Sequence, residues 1–141
     1  MTESDIPDKK IVLVISATLE KGQATNRAAV LATGLAAHVP NLIGQNSITK
    51  DGKILLSFTQ MPIPILTTKP DTSFIELTKK AESFGCIVIV YLSRAQGLRS
   101  YEEYRQSIAQ SNYDELDINA VAIYGDRSSV TKVTGNLPAL R

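Results

Sequence analysis

Three continuous apolar runs, spaced far apart along the chain, constrain its fold more than any other feature. Residues 10–16 (KIVLVIS), 86–91 (CIVIVY) and 118–124 (INAVAIY) are dominated by Val and Ile. β-branched side chains lose little in an extended backbone, and a run without polar alternation reads as a strand buried on both faces. The segments between the runs change to helical period. Over residues 23–39, Ala24, Ala28, Leu31, Leu35 and Val39 fall on one stripe that should face a sheet. Asn26, Ala29, Thr33 and Ala36 lie on the opposite side and form a smooth face of small residues, suited to close packing against another element or a second copy of the chain.

Punctuation between the runs fixes further elements. Ser73 and Glu76 have capping-box spacing, and Phe74, Leu77, Thr78, Ala81 and Phe84 recur at helical period until Gly85. Ser100 and Glu103 repeat the capping spacing ahead of a mostly polar helix to about residue 111, anchored by Tyr101, Tyr104 and Ile108. Gly125 and Asp126 lead into a short helix that runs through Thr134 and stops at Gly135. Residues 41–66 are less regular: Lys50-Asp51-Gly52-Lys53 is a hairpin turn signal, while Pro62 and Pro64 mark an edge or a loop. Strands separated by crossover-length helices predict an α/β chain, a three-layer α/β/α sandwich with a mixed, mostly parallel sheet of about four strands.

Composition bounds the rest. A chain of 141 residues, 43% hydrophobic and 21% charged, fits one self-sufficient domain over residues 9–141, after a disordered tail at residues 1–8. Fifteen Lys plus Arg against fourteen Asp plus Glu leave a formal charge of +1, so no global field favours nucleic acid or an anionic membrane. The single cysteine, Cys86, stands at the head of an apolar run and reads as a buried, inert thiol. The N-terminal residues lack the apolar core of a signal peptide, and no apolar run is long enough for a membrane span, so the expected home is the cytoplasm.

In open α/β sheets ligands gather beyond the carboxyl ends of the strands, which points to residues 16–23, 93–96 and 125–127. Ser16, Gln23, Asn26, Ser93 and Arg94 are the candidate ligand-binding residues. Gln23 and Asn26 stand at a helix start whose free N–H groups suit a small anion, with Arg94 or Arg27 assisting. The same two residues equally serve as caps, with the arginines in solvent. His38, the only histidine, lies at the far end of that helix, roughly 22 Å from Gln23 at 1.5 Å per residue, where it complements the helix dipole. With no second His or Cys, no transition-metal site and no cofactor is expected. Asp114, Glu115 and Asp117 read as a solvated turn, since no calcium-loop glycine pattern surrounds them. Neither of the glycine-rich nucleotide loops is present. Tyr91, Tyr101, Tyr104 and Tyr113 suit either a pocket lining or amphipathic surface packing.

Two stretches carry a family resemblance: Lys10-Ile11-Val12-Leu13-Val14 followed by Leu19, Gly22 and Ala28-Ala29, and Lys132-Val133-Thr134-Gly135-Asn136-Leu137. Both resemble the type 2 peptidyl-tRNA hydrolases. Gly22-Gln23-Ala24-Thr25-Asn26 with Ala122-Ile123-Tyr124-Gly125 is more similar still to the bacterial domain of unknown function 2000 family. The resemblance implies the fold of those hydrolases. Their first helix supplies a Lys and a His and a later loop supplies a carboxylate; here Thr25 and Ala32 fall at the first two positions, and the loop over residues 92–98 has no acidic residue. Ester hydrolysis needs a base or nucleophile within reach of the carbonyl. The expected function is therefore a binding domain lacking that hydrolase activity, self-associating as a homodimer and holding a small polar or anionic ligand. The alternative is a hydrolase with a rebuilt site, using Ser93 or Thr25 and with Arg94 stabilising negative charge. An inactive tRNA-interacting protein ranks last, because the near-neutral charge opposes it.

Overall fold

The computed structural model describes residues 8–141. The tail expected over residues 1–8 falls outside the described residues except for Asp8, whose carbonyl accepts from the Arg127 N–H at 2.9 Å. Along the chain the elements are β1 (Lys9–Ile15), α1 (Lys21–His38), β2 (Ser47–Ile48), β3 (Ile54–Leu55), β4 (Ile65–Thr67), α2 (Phe74–Ser83), β5 (Ile87–Leu92), α3 (Tyr101–Ala109), β6 (Ile118–Asp126) and α4 (Arg127–Thr134). Single 3-10 turns occupy Ser93–Gly97 and Tyr113–Glu115.

The three apolar runs form β1, β5 and β6, and the four-stranded sheet has the order β4-β1-β6-β5. Sheet direction corrects the expectation of a mostly parallel core. Only β1 and β4 pair in parallel; β1 with β6, and β5 with β6, are antiparallel. A strand buried on both faces presents the same apolar run whichever way it points, so the sequence had no signal for the reversal of β6. The fourth strand, β4, lies in the irregular region after Pro64, and Leu13 N–H donates to the Pro64 carbonyl at 3.0 Å as β4 joins the edge. Proline is tolerated there because an edge strand leaves one side of its ladder unpaired.

Alternation divides each central strand between two cores. Ile11, Leu13 and Ile15 of β1, with Ala120 and Ala122 of β6, meet Ala24, Leu31 and Leu35 of α1. Val12 and Val14, with Val121 and Ile123, meet Leu77 and Ala81 of α2 and Val130 and Val133 of α4. Each fully buried aliphatic side chain contributes about 1.5–3 kcal/mol of transfer free energy, which makes these two clusters the main source of stability. The helix starts are as the spacing predicts: Ser73 Oγ accepts from Glu76 N–H at 3.2 Å, and Ser100 Oγ from Glu103 N–H at 3.1 Å. α1 begins earlier than expected, at Lys21, because Glu20 and Gln23 close a reciprocal capping box. α3 buries none of its residues, and Tyr101, expected as an anchor, is 75% exposed. The hairpin signal is realised as β2 and β3, with Gly52 at φ 90° in the left-handed region that favours glycine. Among the described residues no helix is long and apolar enough to cross a membrane.

Candidate functional site

The reversal of β6 decides which loops meet. Because β1, β4 and β5 all run one way, their carboxyl ends lie beside the start of β6: Ser16 N–H donates to the Asn119 carbonyl at 2.9 Å, and Ser93 N–H to the Asp117 carbonyl at 2.8 Å. Residues 125–127, expected to join this end, close the opposite end, where Lys9 pairs with Asp126 at 2.7 Å and Arg127 with Asp8 at 3.0 Å. Asp117, read from the sequence as part of a solvated turn, takes the vacated place.

Ser93, Arg94 and Asp117 form one tight junction. The carboxylate accepts from Ser93 Oγ at 2.7 Å, from the Arg94 backbone N–H at 2.6 Å and from Arg94 Nε at 2.6 Å. Arg94 also donates to the Ser107 carbonyl at 3.2 Å and to Ser111 Oγ at 2.9 Å, which ties α3 to the sheet end. Burial pushes the Asp117 carboxyl up, but the Ser93 hydroxyl, the Arg94 guanidinium and the Arg94 backbone N–H outweigh it and leave the pKa below its ordinary 3.8. A carboxylate already engaged by three donors is a poor base for activating Ser93, and no imidazole intervenes. The junction is built as a fastening, with Arg94 already neutralised.

The remaining predicted residues are divided between other tasks. Gln23 Oε1 accepts from the Glu20 N–H at 3.1 Å, while the Glu20 side chain accepts from the Gln23 N–H. The chain's own carboxylate thus occupies the place an anion would take at the start of α1. Asn26 is exposed and its Oδ1 accepts from Arg27 Nη1 at 3.4 Å. Ser16 lines a separate cleft of about 650 Å³ between the ends of β1 and β4 and the start of α1, with Lys21, Thr25 and Thr67. Its hydroxyls are engaged: Thr25 donates to the Lys21 carbonyl at 2.8 Å, Thr67 to the Ile15 carbonyl at 3.0 Å, and the Ser16 and Thr18 hydroxyls hydrogen-bond to each other at 2.8 Å. Ala32 is half-buried in α1, away from that cleft's lining. Cys86 is buried as expected, and burial raises its thiol pKa above the ordinary 9.0. Asp114 pairs with Lys79, Glu115 accepts from Asn112 at 2.8 Å, and no three potential metal ligands cluster among the described residues.

Another concavity, of about 550 Å³, opens between α1, β5 and the segment that leads into α3. Its apolar wall comes from Val30, Gly34, Ile89 and Leu98, and its polar rim from Thr33, His38, Arg99 and three tyrosines, Tyr91, Tyr101 and Tyr104. The volume lies within the ordinary range for small-molecule sites, and the mixture of apolar wall and few polar groups is typical of them. Gly34 lets α1 approach the sheet: a Cβ there would lie 3.1 Å from Ile89 Cδ1. Burial, first, and then the neighbouring Tyr101 and Asp117 push the Tyr104 phenol above its ordinary 10.0, so at neutral pH it is a hydrogen-bond donor. The Tyr91 ring is held by Arg27, whose guanidinium lies 4.4 Å from the ring centroid.

Arg27 departs from the solvated reading. It is only 3% exposed; its Nη2 donates to Gln96 Oε1 at 2.7 Å, and its buried Nε has no partner among the described residues. The signal was present in the spacing, since Arg27, Leu31 and Leu35 follow at i, i+4 and i+8 on the buried stripe, but the charge argued for solvent. The pocket residues gave less signal, because α3 and the segment before it have no strong periodicity. Asn26, Ala29, Thr33 and Ala36 remain an exposed face of α1.

A model of the family described as Protein of unknown function (DUF2000) matches residues 9–141. No curated protein matches the chain. Among solved structures, a protein of unknown function from Agrobacterium tumefaciens strain C58 superposes with a TM-score of 0.85 at 19% identity, covering 96% of this chain and 100% of that one. At that identity the likeness concerns the fold alone.

Proposed function

The chain belongs to the DUF2000 family of proteins of unknown function, and on that premise we propose that it is a small-molecule binding domain without hydrolytic chemistry. Its site is the pocket between α1, β5 and α3. The observation that carries this reading is the pocket itself: about 550 Å³, with an apolar wall and a polar rim. The alternative, a rebuilt hydrolase site at Ser93, has a specific obstacle. Ser93 is held by a carboxylate whose pKa is depressed, and Arg94 is already paired with that carboxylate at 2.6 Å. The proposal includes a three-layer α/β/α sandwich like that of the type 2 peptidyl-tRNA hydrolases, supported by α1 packing on one face of the sheet and α2 and α4 on the other. It also includes a homodimer formed through the exposed small-residue face of α1, and a cytoplasmic home.

The test has two arms. Purified protein is incubated with N-acetylated aminoacyl-tRNA and with a p-nitrophenyl ester, beside a Ser93→Ala variant. No turnover above buffer is expected, and turnover that Ser93→Ala abolishes would overturn the reading. In the second arm a mixed library of charged and neutral fragments is screened by amide chemical shifts. Saturable shifts at Gly34, Ile89 and Leu98, lost in a Val30→Trp variant that fills the pocket, are expected; a library that moves none of these resonances refutes the assignment of the site.

A further inference from the structure

Charge around the pocket is unbalanced in a way that identifies the ligand. Arg27 is 3% exposed yet belongs to none of the ion pairs among the described residues, which engage Lys9, Lys79, Arg94, Arg105 and Arg127. A buried guanidinium whose side-chain hydrogen-bond partners are two neutral amides, Gln96 and Asn26, and whose Nε is orphaned among the described residues is costly to keep, because desolvation of the charge is not offset by an opposite one. Arg99, on the rim, is likewise outside those pairs; the carboxylate beside it, Glu103, is turned to the Arg99 backbone N–H at 3.4 Å. His38 adds an imidazole to the rim, and the Tyr104 phenol adds a donor at neutral pH. Among the described residues no aspartate or glutamate lines the pocket.

The wall sets the shape of what enters. Ile89, Leu98 and Val30 provide apolar contact, and the tyrosines provide flat surfaces; Tyr101 and Tyr104 lie 5.9 Å apart, ring to ring, at 38°. Offset or tilted contacts at such separations are those that aromatic rings favour. Arg27 covers the Tyr91 ring at 4.4 Å and braces it in place. Tyr101, at 75% exposed, and Val30, at 44%, leave apolar surface of this pocket open to water, and a flat ligand would cover it.

We infer that this pocket takes a small planar aromatic acid, its ring against Ile89, Leu98 and the tyrosines and its carboxylate held by Arg99 with His38 and the Tyr104 hydroxyl. The inference rests on the reading of the pocket as a ligand site and adds the ligand's chemistry to it. Arg27 is not part of the pocket lining; it acts through Tyr91, whose ring it braces. Arg99 is the residue that touches the anion. Its exposure means that its loss leaves the folded core intact.

The experiment titrates the full chain with 2-naphthoate and, separately, with the isosteric neutral 2-naphthamide, and follows amide shifts of Gly34, Ile89, Leu98 and Tyr101. The acid is expected to bind at least about tenfold more tightly than the amide, the difference that one charge-assisted hydrogen bond supplies. Arg99→Ala should remove that preference while leaving amide binding unchanged, and Arg99→Lys should restore part of it. Equal binding of acid and amide at these residues overturns the anion inference while the pocket remains a ligand site. Absence of saturable shifts with either compound overturns both. Acid binding that Arg99→Ala leaves unchanged overturns the role of Arg99.

Discussion

Replacing Asp117 with Asn would remove one charge and half the acceptor capacity at the junction that ties α3 to the sheet. The wild-type carboxylate accepts three bonds of 2.6–2.7 Å, from Ser93 Oγ, Arg94 N and Arg94 Nε. An asparagine retains one oxygen and turns an amide toward a donor, so the Arg94 Nε bond is lost and its guanidinium is left unpaired with a side chain only 22% exposed. A hydrogen bond to a charged group contributes about 1.5–3 kcal/mol, and partial exposure of Asp117 lowers that, so the expected loss is about 2 kcal/mol. For a chain of this size that corresponds to a Tm decrease of roughly 6–8 °C. The pH dependence gives a second signature. The carboxyl titrates below its ordinary 3.8 in the folded protein, so its contribution is complete above the unfolded value and is lost as pH falls through the folded one. The gap between wild type and Asp117→Asn should therefore be full at neutral pH, begin to close below about pH 4, and vanish once the folded carboxyl is protonated. Calorimetric melts at neutral pH and down into the acid range measure both. A Tm difference of less than about 2 °C at neutral pH, or a gap that stays constant as pH falls past the carboxyl's range, would refute the reasoning.

Two further outcomes follow from packing and from the exposed helix face. In Gly125→Ala the new Cβ would lie 2.7 Å from Cys86 Sγ, so a destabilisation of about 1–3 kcal/mol is expected in urea unfolding; adding Cys86→Ala should recover part of it, and strictly additive costs would contradict the proposed clash. Sedimentation velocity should show a dimer for the wild type and a monomer for Ala29→Arg, whose added charge falls on the small-residue face; a monomeric wild type at high concentration would remove the self-association from the functional reading.

The candidate site shows where local signals stop. Caps at Ser73 and Ser100, the hairpin at Gly52 and the start of α4 after Asp126 were legible because each depends on residues only a few positions apart. Ser93 and Arg94 were legible as strand-end residues, but their partner Asp117 was not, because 23 residues separate it from Arg94 and its meaning depends on the direction of β6. The β4 strand was missed for a similar reason: three residues after a proline become a strand only because β1 offers an edge.

By itself the sequence determined the strands β1, β5 and β6 and the apolar stripes of the helices that cover them, since uninterrupted runs of Val and Ile mark buried strands; β5, read the same way, proves to be a half-buried edge strand, because its run does not say whether a neighbour lies on both sides. Tertiary structure alone decided the direction of β6 between β1 and β5, and with it which loops share an end of the sheet. It also decided that Arg27 is buried on Tyr91 and that α3 stands off from α1 to leave a pocket. The physical reason is common to all of these. Hydrophobic burial is nondirectional and can be read from composition along a segment, whereas strand polarity, charge pairing and cavity shape depend on which distant segments are brought together.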